Sequence, residues 1–213
     1  VSRIVIVPGL AVRSYARPPA LAARRAGHDV SLLRPPAWRG APADLAEYGV
    51  RLAEQLETRD ERVDVLVGLS VGTQAAAVAA TRTDRIRRLL LVSPTVDPRH
   101  RSMVGLVSRW LGGDPQDDAP PPPSQLADWA RAGVPRIAAG YLSALRVPLE
   151  RVLPHIRADL VVVHVEHDSL GTAAWAAELA EVGGGRLIEL ADAPHSWPVG
   201  DPDGFVRMIG DLT

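Results

Sequence analysis

Residues 63–80 read Val-Asp-Val-Leu-Val-Gly-Leu-Ser-Val-Gly-Thr-Gln-Ala-Ala-Ala-Val-Ala-Ala. Val63, Val65, Leu66 and Val67 have the β-branched, unbroken apolar character of a strand buried on both faces. From Gly72 onward the residues are small and apolar, as in a helix lying close against a sheet. Between the two stands Gly68-Leu69-Ser70-Val71-Gly72, a G-x-S-x-G turn with a serine at its tip. Strand, sharp turn and helix in this order form a nucleophile elbow. The turn strains the serine backbone, and side chains two positions either side would collide with the neighbouring strand and helix. The helix that follows aims its unpaired N–H groups and positive dipole end at the serine hydroxyl, where an anionic intermediate would form. The five-residue pattern alone is common by chance, so its weight comes from this context.

Working outward, strands and helices alternate. Arg3–Val7 reads as a first strand ending at Pro8-Gly9, Ala20–Ala26 as a helix stopped by Gly27, and Asp29–Leu33 as a second strand. Ala43–Thr58 carries Leu45, Tyr48, Leu52 and Leu56 at helical spacing. After the elbow come strands at Arg88–Val92, Leu160–Val165 and Arg186–Leu190, with helices at Thr172–Glu181 and Pro202–Asp211. This alternation predicts an α/β chain with a doubly wound, mostly parallel six-stranded sheet. The spacing between Val92 and Leu160 exceeds what one crossover helix needs. Helical pieces at Met103–Leu111, Gln125–Ala132 and Pro135–Leu145, joined through the proline run Pro120–Pro123, predict a small helical lid over about 98–150. A single domain over 1–213 is expected, with 46% hydrophobic residues to fill its core.

A net charge of −1 argues against nucleic acid or an anionic membrane surface as partner. With no cysteine there is no thiolate nucleophile, disulfide or cysteine metal site. No apolar run approaches bilayer length and no signal-peptide pattern opens the chain, so a cytoplasmic protein is expected; the chain opens on Val1, already inside a strand, which leaves a trimmed leader as the alternative. Nothing in the residues indicates an oligomeric state.

A serine nucleophile needs a base, an acid to orient it, and donors for the oxyanion. The strand ending at Val165 runs into Glu166-His167-Asp168, and the strand ending at Leu190 into Ala191-Asp192-Ala193-Pro194-His195. Asp168 and His195 therefore follow the carboxyl ends of two later strands, where the loops of an open parallel sheet build a site. Asp97, after the strand ending at Val92, is a second candidate for the acid. His164, Glu166 and His167 raise the question of a metal site; strand alternation would point His167 away from the other two, so no metal is expected.

The order Ser70, Asp168, His195 resembles that of the α/β-hydrolase superfamily, and the likeness spans the chain. In that family the acid follows a strand-Gly-x-x-Asp pattern, which here has Val165 in place of the glycine, and the oxyanion loop often reads His-Gly-x, here Pro8-Gly9-Leu10. The resemblance implies a reduced version of that fold, lacking the two usual N-terminal antiparallel strands. It also implies Ser70, Asp168 and His195 as catalytic residues, the N–H groups of Leu10 and Val71 as the oxyanion hole, and no cofactor. Tyr15, Trp38, Trp110, Trp129, Tyr141 and Leu142 are the candidates to line the substrate pocket, with plain packing as the competing role for each. The activity so implied is a serine esterase or thioesterase acting on a small or medium apolar acyl compound. The alternatives on the same scaffold are an acyltransferase, a lyase or cyclising enzyme, or a catalytically silent binding module.

Overall fold

The computed structural model describes residues 1–102, 104, 105, 108 and 123–212. Six strands form one sheet: β1 Arg3–Val7, β2 Asp29–Leu32, β3 Val63–Leu69, β4 Ile86–Val92, β5 Asp159–His167 and β6 Arg186–Pro194. Their order is β2-β1-β3-β4-β5-β6, and every neighbouring pair is parallel. The chain winds outward from β1 to β2, returns past β1 to β3, then proceeds to the far edge, which is the doubly wound topology expected.

Helices cover both faces. On one face α1 (Arg17–Arg25) and α9 (Pro202–Leu212), which follows the short α8 (Trp197–Gly200), bury Ala20, Ala23, Phe205 and Ile209 against Ile4, Ile6, Val65 and Val67. On the other, α2 (Leu45–Thr58), α3 (Gly72–Ala80) and α7 (Ala173–Val182) bury Leu52, Leu56, Ala76 and Trp175 against Val5, Leu66, Leu89 and Val162. Alternate strand residues thus feed alternate cores, as the period of two requires. Every residue of α3 is buried, because α2 lies directly on it. A Cβ at Gly49 of α2 would stand 2.6 Å from the Ala75 carbonyl oxygen, so that glycine sets the approach of the two helices.

Helix starts follow local chemistry. Asp44 caps α2 by accepting from Glu47 N–H (2.9 Å), and Thr172 caps α7 by accepting from Trp175 N–H (3.1 Å). Helix α1 begins at Arg17, before the expected Ala20, because Pro18 and Pro19 fall in the first turn, where a missing N–H is not needed. Strand β6 runs past the expected end at Leu190 to Pro194 through a bulge: Val165 pairs with Leu190, but His167 pairs with Pro194.

Between β4 and β5 the described chain forms α4 (Pro123–Ala132), α5 (Val134–Ala144) and the short α6 (Leu149–Val152). Most of the helix expected over Met103–Leu111 lies outside the described residues, as does Trp110. Helices α4 and α5 pack on the segments that follow β1 and β2. Arg136 of α5 donates to the carbonyls of Ala37 (2.7 Å), Trp38 (3.0 Å) and Ala41 (2.5 Å). Ser143 Oγ accepts from Leu45 N–H at 2.8 Å and donates to Asp44 Oδ2 at 3.1 Å. Among the described residues, no helix is long and apolar enough to cross a membrane.

Candidate active site

Ser70 has φ +53°, in the left-handed region where a non-glycine residue costs about 1–3 kcal/mol. Several contacts hold it there. Its N–H donates to the Val92 carbonyl (2.9 Å), while its own carbonyl accepts from Thr73 N–H (3.0 Å) and Thr73 Oγ1 (2.5 Å). The flanking glycines are steric necessities. A Cβ at Gly68 would lie 2.7 Å from Thr73 Cα, and one at Gly72 2.7 Å from the Val7 carbonyl oxygen and closer still to that of Pro8. The loop leaving β1 passes beside the serine: a Cβ at Gly9 would be 3.5 Å from Ser70 Cβ and 3.9 Å from its Oγ.

The next two N–H groups are Leu10, on that loop, and Val71, at the start of α3. Among the described residues, no carbonyl or side chain accepts a hydrogen bond from either. The buried side chains of Leu10 and Val71 belong to one apolar cluster. Two such donors next to a serine hydroxyl can serve a developing negative charge.

The imidazole and carboxylate meet through the sheet register. Because His167 pairs with Pro194, the residues that follow, Asp168 and His195, emerge side by side. His195 Nδ1 lies 2.9 Å from Asp168 Oδ1. The same oxygen accepts from the N–H groups of Leu170 (2.8 Å) and Gly171 (3.0 Å), which fix the carboxylate. Asp168 is 7% exposed, and among the described residues its buried Oδ2 has no hydrogen-bond partner. An acceptor at Nδ1 selects the tautomer that carries its proton there and presents Nε2 as a base. Among the described residues, Ser70 Oγ makes no hydrogen bond to the imidazole. What ties serine to histidine is β4: Val92 holds Ser70 N–H, and Ser93, the following residue, donates Oγ to the His195 carbonyl at 3.3 Å. Ser93, which sequence reasoning passed over, is itself at φ +51°. Its one signal in the sequence is the Ser-Pro step that ends β4.

Asp97, the other candidate acid, is 2% exposed and otherwise engaged. Its oxygens accept from Arg99 N–H (2.9 Å), Arg99 Nη1 (3.1 Å) and Thr172 Oγ1 (3.0 Å). Burial pushes this carboxyl's pKa up, but the Arg99 N–H, the Thr172 hydroxyl and the Arg99 guanidinium outweigh it and hold the group below its ordinary value.

Of the expected lining residues, Trp38, Trp129 and Tyr141 pack against the cluster that contains Leu10 and Val71. Trp38 Nε1 donates to the Ala11 carbonyl (2.9 Å) and Tyr15 OH to Gln125 Oε1 (2.7 Å), so both aromatics also brace backbone and helix. Burial raises the pKa of Tyr141, which keeps its phenol protonated. Leu142 is 49% exposed and joins no such cluster.

The expectation that His167 stands apart from Glu166 is corrected by the bulge in β6. Glu166 Oε2 accepts from Asp192 N–H at 2.9 Å, and one ligand atom each from Glu166, His167 and Asp192 lie within 4.8 Å of one another. Asp192, at φ +51°, reaches both neighbours because the extra residues of β6 break simple alternation. Glu166 and Asp192 are exposed, and exposed acidic groups commonly cluster without a cation.

The model of the Alpha/beta hydrolase family matches residues 4–208. No curated protein sequence matches the chain. Among solved structures, a hydrolase from Pseudomonas aeruginosa PA01 superposes with TM-score 0.71 at 20% identity, covering 99% of this chain and 89% of that one. An enol-lactonase from Burkholderia xenovorans LB400 gives TM-score 0.69 at 19% identity over 100% and 91% of the two chains. An enzyme described as degrading N-acyl homoserine lactones gives TM-score 0.75 at 16% identity over 100% and 93%. At these identities the likeness is one of fold.

Proposed function

This chain belongs to the alpha/beta hydrolase family, and on that premise we propose that it is a serine hydrolase cleaving small or medium apolar carboxylic esters or thioesters through an acyl-serine. Ser70 Oγ attacks the carbonyl carbon while His195 Nε2 takes its proton. Asp168 holds the Nδ1 tautomer and stabilises the imidazolium. The N–H groups of Leu10 and Val71 receive the carbonyl oxygen as it becomes an oxyanion, where one lost donor typically costs about 3 kcal/mol. The tetrahedral intermediate collapses, the bond to the leaving oxygen or sulfur breaks, and His195 delivers the proton to that atom. Water then attacks the acyl-serine with His195 again as base, releasing the carboxylic acid and restoring Ser70.

The observation that carries this reading is the 2.9 Å contact of His195 Nδ1 with Asp168 Oδ1, at the mouth of the sheet where Ser70 is held in a glycine-flanked turn. No cofactor takes part in the scheme. Cyclic esters belong in the same class, since two of the similar structures are described as acting on lactones. Transfer to an alcohol or amine uses the same acyl-enzyme and is the runner-up.

A fluorophosphonate probe tests the nucleophile: the wild type gains one adduct mass and Ser70→Ala gains none. An unlabelled wild type would turn the reading towards a binding module. A p-nitrophenyl ester series of increasing acyl length, run with and without added alcohols and amines, separates hydrolysis from transfer. Product that incorporates the acceptor in preference to water would identify a transferase.

A further inference from the structure

The loop that carries Leu10 is held from above by residues more than a hundred positions away. Asp128 of α4 directs Oδ2 at two successive backbone donors, Arg13 N–H at 2.8 Å and Ser14 N–H at 2.7 Å. They open the short 3₁₀ turn Ser14–Ala16 that leads into α1. Asp128 is 5% exposed, so this is a buried carboxylate whose charge is met by backbone dipoles. Beside it, Gln125 accepts from the Tyr15 hydroxyl. Neighbouring α5 meets the other end of the loop: a Cβ at Gly140 would run into Leu10 Cδ1. Between these points Ala11, at φ +57°, donates to the Pro36 carbonyl (3.0 Å) and accepts from Trp38 Nε1 (2.9 Å). The path of Gly9–Ser14 is therefore defined jointly by β1 beneath and by α4 and α5 above.

From this geometry we infer that Asp128 is a positioning residue for the oxyanion loop: its carboxylate fixes the Arg13–Ser14 end so that Leu10 N–H stays aimed beside Ser70. The inference rests on the serine-hydrolase reading, in which Leu10 supplies an oxyanion donor. It assigns α4 a part in building the site, beyond covering it. An oxyanion donor acts on the transition state more than on the bound substrate. Loss of Asp128 should accordingly lower kcat with little change in KM, by about 10- to 100-fold if the loop drifts by up to about 1 Å.

The test compares Asp128→Ala, Asp128→Asn and Arg131→Ala with the wild type, using a p-nitrophenyl ester, a trifluoromethyl ketone and the carboxylate product. The ketone forms a tetrahedral oxyanion on serine and reports the hole; the product reports ordinary binding. Asp128→Ala should weaken the ketone by the same factor as it lowers kcat, with product affinity within about two-fold. Asp128→Asn, which keeps one acceptor oxygen, should lose less. Arg131 pairs with Asp128 from an exposed position at 3.3 Å, and its removal should change neither readout. If Asp128→Ala does not fold, Asp128→Asn must still show parallel losses in kcat and ketone affinity. Wild-type values for both Asp128 variants, in a protein whose Ser70 labels with fluorophosphonate, would overturn the positioning role alone. A wild type that neither labels nor binds the ketone would overturn the hydrolase reading and this inference with it.

Discussion

Replacing Gly72 by alanine adds one methyl group at the point where α3, β1 and the serine turn meet. Its Cβ would sit 2.7 Å from the Val7 carbonyl oxygen and nearer still to that of Pro8, whereas ordinary contact begins at 3.4 Å. Both obstacles are backbone atoms, so no rotamer change relieves the overlap, and β1 or α3 must retreat by about 1 Å, the nearer Pro8 oxygen setting the distance. Overpacking of this kind costs about 1–3 kcal/mol. Alanine's better helix propensity, at most about 1 kcal/mol and less in a first turn, offsets part of it. A net loss of about 1–2 kcal/mol lowers Tm by about 2–8 °C in a chain of this size. The functional consequence is larger, because the retreat separates the two proposed oxyanion donors: Val71 moves with α3, and Leu10 with β1. Misplacement by about 1 Å can cost about 10²-fold, so kcat should fall by about 10- to 100-fold. Thermal unfolding followed by circular dichroism and p-nitrophenyl ester turnover measure the two effects. Gly210→Ala is the control: among the described residues nothing lies within 4 Å of its Cβ inside α9, and it should stabilise by about 0.5–1 kcal/mol without altering turnover. A Gly72→Ala protein with wild-type Tm and kcat within two-fold would refute the steric argument.

Three further outcomes are expected. Asp168→Asn should reduce kcat by about 10⁴-fold by selecting the wrong imidazole tautomer, while Asp97→Asn reduces it far less; a larger loss for Asp97→Asn would transfer the acid's role to that residue. Asp97 has a folded-state pKa below its ordinary value, so the folded protein holds fewer protons there than the unfolded chain. Its stabilising contribution should be complete above the unfolded carboxyl's pKa of about 3.9 and fade as pH falls through the lower folded value. Urea midpoints of wild type and Asp97→Asn should therefore converge in acid, and a gap independent of pH would contradict this. Finally, Arg136→Met leaves the carbonyls of Ala37, Trp38 and Ala41 without their common donor and should cost about 2–3 kcal/mol in urea unfolding at unchanged m value; a loss under 0.5 kcal/mol would show that water replaces the guanidinium.

What could be read from the sequence was what local chemistry dictates. The valine and leucine runs of β1, β3, β4 and β5 declare themselves because both faces of those strands are buried. The elbow is legible because Gly68 and Gly72 answer steric demands created within a few residues and by the neighbouring strand. Contacts made across the chain left weaker marks. Asp128 meets Arg13 and Ser14 across a separation of more than a hundred residues, and nothing in Ala-Asp-Trp announces a backbone cap supplied from another helix. The bulge at Asp192 was hidden because Ala191-Asp192-Ala193 reads equally well as loop.

For the proposed mechanism, topology separates Asp97 from Asp168 where residue type does not. Both are buried aspartates just beyond the carboxyl end of a parallel strand, and either loop suits a carboxylate meant to orient a base. Their strands differ in distance from β6, the strand that delivers His195. Strand β5 is its direct neighbour, whereas β4 lies one further position away, about 4.8 Å across the sheet. An imidazole leaving β6 reaches the β5 loop first, and the bulge brings the two strand ends level at His167 and Pro194. For Asp97 to take that role, its loop would have to cross the mouth of β5 and give up Arg99 and Thr172, donors that hold its carboxylate in its present place. The loss of those bonds from a buried charge would cost more than a single contact with histidine returns. Under the proposed mechanism strand order therefore favours Asp168, already bonded to the imidazole, as the orienting acid, while Asp97 ties the loop after β4 to the start of α7.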